Sequence, residues 1–130
     1  MKLIATYCAK AKATTAEPTP AYERYLSKRI THARDSALIN RDKFAILSGR
    51  FGLIDGSEMI PYYDHLLQED EIPSMIERVA ETMRNWGVSE LTWYSLPDNL
   101  DPFVWRYRAV ITRAAAITEC SLKVVELFEE

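Results

Sequence analysis

Cys8, Lys10 and Lys12 stand together just beyond the short apolar run Lys2–Tyr7, a thiol with two ammonium groups spaced one residue apart. A thiolate is a strong nucleophile, and cationic neighbours favour that form. Paired lysines near free backbone N–H groups could also hold a phosphate or carboxylate. A structural cysteine beside two solvated lysines accounts for the same pattern. Further on, Ser48-Gly49-Arg50-Phe51-Gly52-Leu53 combines a hydroxyl, two flexible glycines and a planar, permanently charged fork. The stretch Met59-Ile60-Pro61-Tyr62-Tyr63-Asp64-His65 then places two phenol rings, a carboxylate and an imidazole in consecutive positions. Tyr62 and Tyr63 are candidates to stack on a base, and Asp64 is a candidate general base. In the competing account Tyr62 or Tyr63 fills space, Asp64 caps a turn and His65 is exposed.

These residues have to be held by elements. The run Lys2–Tyr7 reads as a strand and Cys8–Pro20 as the loop after it. Helical spacing of Ala21, Tyr22, Tyr25, Leu26, Ile30 and Ala33 predicts one helix opening after Pro20, carrying Tyr25 and Ser27 toward the sheet edge and His32 two turns beyond Tyr25. "KFAILS" reads as a second strand buried on both faces, followed by a long irregular loop from Gly49 to Glu69. The clearest helix lies in "EDEIPSMIERVAETMRNWG", with acidic residues at its start and Gly87 at its end. "ELTWYSL" gives a third strand. Asp101 and Pro102 predict a helix from about Pro102 to Ile117, from which Trp105, Tyr107 and Arg108 could border a crevice. "LKVVELF" gives a fourth strand.

Strands alternating with helices predict an α/β three-layer sandwich with a mainly parallel sheet of about four strands, in a single domain spanning 1–130. In such sheets ligands lie outside the carboxyl ends of the strands. That rule selects the loops Cys8–Pro20, Gly49–Glu69 and Ser95–Leu100. A chain of 130 residues can bury about two-thirds of its unfolded surface, so it needs no staple. Its two cysteines, Cys8 and Cys120, are far apart in sequence and suggest neither a zinc site nor a disulfide framework. A cytoplasmic location fits the absence of a secretory or membrane-spanning pattern. A net charge of −3 disfavours a general nucleic-acid coat. With only two histidines and no ligand-like carboxylate spacing, neither a metal nor a cofactor is expected.

The motifs Cys8-x-x-x-Lys12, Pro20-Ala21 leading to Tyr25-x-Ser27, "ILSGRFGLI" and "IPYYDHLL" resemble a bacterial and phage family catalogued as a domain of unknown function. That family has a Cys-x-Lys-x-Lys opening, an Ile-Leu-Ser-(Ala/Gly)-(Lys/Arg)-(Tyr/Phe)-Gly-Leu stretch and an Ile-x-Pro-Tyr-Asp segment. The resemblance covers about the first half of the chain, with Tyr63 standing as an extra residue between Tyr62 and Asp64. The Leu-Ser-Gly stretch followed by Pro-Tyr is similar to bacterial peroxide-stress proteins that bind DNA. Cys8 and Lys12 resemble the opening of the archaeosine synthase catalytic core, although Tyr25, Ser27 and His32 come later than in that core. These resemblances imply a Rossmann-like or uracil-DNA-glycosylase-like fold that handles a nucleotide or modified nucleobase. The implied activity is at the N-glycosidic bond or on the base. Lys10, Lys12 and Arg50 would fix phosphate, Tyr25, Ser27 and Ser48 would hydrogen-bond, Tyr62 or Tyr63 would stack, and Cys8 or Asp64 would do the chemistry. The alternatives are a non-catalytic protein that sequesters a nucleotide and a DNA-binding stress protein.

Overall fold

The computed structural model describes residues 1–130. Strand β1 (Lys2–Tyr7) lies at the centre of a five-stranded sheet. The other strands are β3 (Lys43–Ser48), β4 (Gly52–Asp55), β6 (Glu90–Ser95) and β7 (Ser121–Glu126), in the order β4-β3-β1-β6-β7. Every pairing is parallel except that of β4 on β3. Side chains alternate across the sheet as strand geometry requires. On one face Ile4 and Tyr94 meet Ala33 and Ala37 of helix α2 (Lys28–Asn40). Leu3, Ala5 and Trp93 lie in the larger core on the other face, with Met83 of α3 (Ile72–Trp86) and Ile111 of α4 (Val104–Ile117).

The elements of the second half form where their patterns place them. Helix α3 ends at Gly87, whose φ of 70° supplies the left-handed C-cap. Helix α4 begins at Val104, two residues later than the expected start at Pro102, because the Asp101 side chain accepts the Phe103 N–H at 2.9 Å in a turn before the helix rather than capping it.

Two expectations are corrected in the first half. The sheet has five strands rather than about four, because part of the stretch after Gly49 turns back as β4 and pairs antiparallel with β3. Ser48 makes that reversal by accepting the N–H groups of Arg50 and Phe51, at 3.1 and 3.0 Å. The single helix expected after Pro20 is two. Helix α1 (Ala21–Arg24) stops where Tyr25 turns extended and bridges to Lys12, and Ser27 starts α2 by accepting the Ile30 N–H at 3.2 Å. Helical spacing continues through the break because both pieces bury residues on the same core.

The two irregular segments are sewn to one another. Strand β2 (Thr19–Pro20) pairs with β5 (Met59–Ile60), and Ala21 and Tyr22 donate to the carbonyls of Glu58 and Gly56. Arg24 completes the seam from within. It is fully buried, and its guanidinium donates to the carbonyls of Ala13, Thr15, Glu17 and Ile60, at 2.8 to 3.2 Å. No carboxylate shares this site, so the carbonyl dipoles and the Thr15 hydroxyl, at 3.3 Å, offset the desolvated charge, while Nε has no partner.

Replacing Arg24 by Met should therefore strand four carbonyls and destabilise the chain by about 3 kcal/mol, read as a lowered urea midpoint. Trypsin should also cut faster after Lys10 and Lys12. An unchanged midpoint would mean that Arg24 does not hold the seam.

Candidate functional site

Parallel strands direct their carboxyl ends to one edge, and the strand order reverses between β1 and β6: from β1 the chain moves outward through β3 to β4 on one side, then crosses back to β6 and on to β7 on the other. Such a switch point is where α/β sheets open a crevice. Cys8 follows β1 there, tied by its N–H to the Leu47 carbonyl at 2.9 Å. Its thiol lies 3.5 Å from the hydroxyl of Tyr107, which α4 brings across from the other end of the chain. Tyr107 also accepts the Leu67 N–H at 3.1 Å. With thiol and amide both donating to it, the Tyr107 hydrogen is left for another acceptor.

A second set of hydroxyls adjoins this pair. Ser48 has two lone pairs, and the Arg50 and Phe51 amides occupy both. Its own hydrogen therefore goes to Tyr63, at 2.8 Å. Tyr63 in turn donates to Tyr25 through a very short contact, and Tyr25 keeps the one hydrogen of this chain not spent internally. The rings of Tyr25 and Tyr63 meet edge to face, and Phe51 makes a second edge contact with Tyr63 at 5.1 Å. Lys12 stands over both phenols, its ammonium 5.0 Å from the Tyr63 centroid and 5.8 Å from that of Tyr25.

Burial is the main cause that pushes the Tyr25, Tyr63 and Tyr107 phenols far above their ordinary range, and a charge on the neighbouring Cys8 acts in the same direction. These hydroxyls are neutral donors at any physiological pH. Tyr7, which packs near-parallel against Trp93 and Tyr107 at 6.1 and 5.3 Å, is also pushed up, by burial first. It donates to Asp101 at 3.0 Å.

Of the residues singled out from the sequence, Cys8, Lys12, Tyr25, Ser48 and Tyr63 come together here. Five others do not join them. The Ser27 oxygen accepts the α2 amide, and Lys10 and Tyr62 are exposed. Asp64 is exposed and bonds to nothing in the chain. Arg50 lies on a neighbouring cleft of about 440 Å³, together with Phe51, His65, Glu71 and Arg78. His65 is half-buried and paired with Glu71 at 2.8 Å. No three His, Cys, Asp or Glu side chains converge as metal ligands.

Tyr107 is expected from the sequence only as one of three residues of this helix that could border a crevice, and its place in the hydroxyl cluster is one of two features that strand and loop patterns do not single out. Its signal is positional, since it lies on the buried stripe of α4 with Val104, Val110 and Ile111 at the crevice end of the helix. Arg29 is the other. It is 1% exposed, stacks on the Tyr7 ring at 3.7 Å, and donates to Thr6 Oγ1 and the carbonyls of Tyr7 and Cys8. Glu130 neutralises it through two contacts of 3.1 Å. The strand end that carries Cys8 is thus fixed from behind by a guanidinium. No protein-family model, curated protein or solved structure matches the chain.

The raised phenols have a consequence for stability. Unfolded tyrosine ionises near pH 10.0, whereas the folded chain keeps these groups protonated. Their contribution is complete below that pH and falls as pH rises beyond it, by about 1.4 kcal/mol per pH unit for each group. Absorbance at 295 nm should show Tyr7, Tyr25, Tyr63 and Tyr107 ionising only as the chain unfolds. Reversible ionisation of all four in the folded chain would contradict their burial.

Proposed function

We propose that the chain binds a nucleotide or modified nucleobase at the carboxyl edge of its sheet and acts on the base through Cys8. The observation that carries the reading is the convergence of the Cys8 thiol, the Tyr107 hydroxyl and the Ser48–Tyr63–Tyr25 relay at one strand end. A thiol flanked by neutral hydroxyl donors suits addition to an unsaturated, electrophilic carbon. Sulfur bonds to carbon, the thiol proton passes to the Tyr107 oxygen, and the phenolic proton of Tyr107 passes to the atom that gains electron density. Tyr107 ends as neutral as it began, consistent with a phenol whose ionised form burial disfavours. Tyr25 supplies a further hydrogen bond to a polar edge of the base. Lys12 adds a positive field above it.

This favours base chemistry over hydrolysis of the N-glycosidic bond, for which Asp64 would have to leave its exposed position. The Rossmann-like and uracil-DNA-glycosylase-like comparisons are consistent with a mostly parallel sheet but rest on motif resemblance. A sequestering protein is the second reading, and it meets the same closed cluster. Cys8 and Tyr63 are each 7% exposed and Tyr25 and Tyr107 each 3%, so a ligand enters only if the sewn segments part. DNA binding gains no support from a net charge of −3.

Thermal-shift measurements across bases, nucleosides, nucleotides and cyclic dinucleotides, each followed by mass spectrometry, test the reading. A ligand that raises the melting temperature and emerges altered is the expected result. Cys8→Ser should retain the shift and lose conversion by at least about a hundredfold. Asp64→Asn should change neither. Conversion surviving in Cys8→Ser would remove the thiol mechanism, and a ligand recovered intact from the parent chain would establish sequestration instead.

A further inference from the structure

Arg50 and Arg78 face the same cleft of about 440 Å³, yet neither belongs to any of the ion pairs of the chain. Acidic residues outnumber basic ones, 19 to 16, so leaving two guanidinium groups together without a carboxylate is not forced by composition. The one acid in the cleft is already engaged. Glu71 Oε1 accepts the Gln68 N–H and meets His65, each at 2.8 Å, and the Gln68 contact is the main cause holding its carboxyl below the ordinary range.

The backbone makes room for the arginines. Gly52 has a φ of 79°, and a Cβ there would stand 3.1 Å from Arg78 Nε. Arg78 Nη1 donates to the Arg50 carbonyl at 3.0 Å, which sets one guanidinium beside the backbone that carries the other. Gly49 forms the wall between cleft and hydroxyl cluster. A Cβ on it would come within 2.8 Å of the Leu67 nitrogen and 3.0 Å of the Tyr107 oxygen. The turn Gly49–Gly52 therefore presents Arg50, beside Arg78 of α3, on one side and adjoins Tyr107 on the other.

We infer that this cleft is a phosphate subsite in which Arg50 and Arg78 bind a phosphate monoester through their forks. Planar, undischargeable guanidinium groups match phosphate oxygens in geometry and charge. The cleft is within the size range of small-molecule sites, so it has space for more than the phosphate. The identity of the rest of the ligand, a nucleoside reaching past Gly49 toward Cys8, rests on the proposed function; the anion site does not.

The test is a nitrogen–proton NMR titration of the full chain with inorganic phosphate, at constant ionic strength against chloride. Saturable shifts are expected at the Gly49–Gly52 amides and at the Arg50 and Arg78 Nε–H groups. Arg78→Gln should weaken binding about tenfold, and Arg78→Lys, which keeps charge but loses the fork, should weaken it by less. Arg84→Gln, the same loss of charge at the other end of α3, should leave affinity unchanged. Absence of saturable shifts, shifts centred on Lys10 and Lys12, or an equal loss in Arg84→Gln would overturn the subsite. Phosphate bound in the cleft while no nucleoside or nucleotide stabilises the chain would retain the subsite and remove the nucleobase reading. A nucleoside bound with no response to phosphate would do the reverse.

Discussion

The short hydrogen-bonded run from Ser48 through Tyr63 to Tyr25 is the constraint on which the carboxyl edge depends. Its three residues come from a strand end, from the segment after β5 and from the break between two helices. Buried hydroxyls are costly unless paired, so each has to be in place for the other two to be tolerated. The break after α1 follows from this. Were Tyr25 to continue the helix, its bridge to Lys12 would be lost. The β4 turn follows as well, because the oxygen that donates onward to Tyr63 is the one that closes the turn through Arg50 and Phe51.

Two buried guanidinium groups brace this arrangement in different ways. Arg24 gathers carbonyls from both irregular segments and holds the outer wall. Arg29 grips the carbonyls at the end of β1 and takes Glu130 as its counter-ion. One cation is held by neutral dipoles and the other by carbonyls, a hydroxyl and a carboxylate that is only partly shielded. Neither arrangement is cheap in desolvation, and each fixes backbone where a strand gives way to irregular chain, Arg29 at Tyr7 and Cys8 and Arg24 from Ala13 to Glu17 and at Ile60. The cost is spent on the position of Cys8 and its neighbours rather than on the general stability of the sheet.

Much of this was legible in the sequence where periodicity is long. Helix α3 and strands β1, β3 and β6 follow from their apolar patterns, and the rule of the carboxyl edge selected the loops that carry Cys8 and Tyr63, with Ser48 at the strand end just before the second of them. Short elements were hidden. Strand β4 is four residues between a tight turn and a glycine, too brief for alternation to register, and its pairing depends on Ser48 rather than on its own composition. The split of the first helix was masked because Ala21 of α1, Tyr25 in the break and Ile30 of α2 all reach the core at helical spacing. Side-chain direction lay outside pattern reasoning altogether. Tyr62, Tyr63 and Asp64 are adjacent, yet only Tyr63 turns inward, and Tyr107 joins the cluster through the packing of a helix far along the chain.

The cluster acts as one unit only if its hydroxyls are energetically coupled. A double-mutant cycle on Tyr25 and Tyr63, each changed to Phe and measured by urea unfolding, reads that coupling directly. The network predicts an interaction energy of about 1 kcal/mol or more, with the double variant less destabilised than the sum of the single ones. Additivity to within a few tenths of a kcal/mol would contradict it, and with it the claim that these hydroxyls hold the two segments over Cys8.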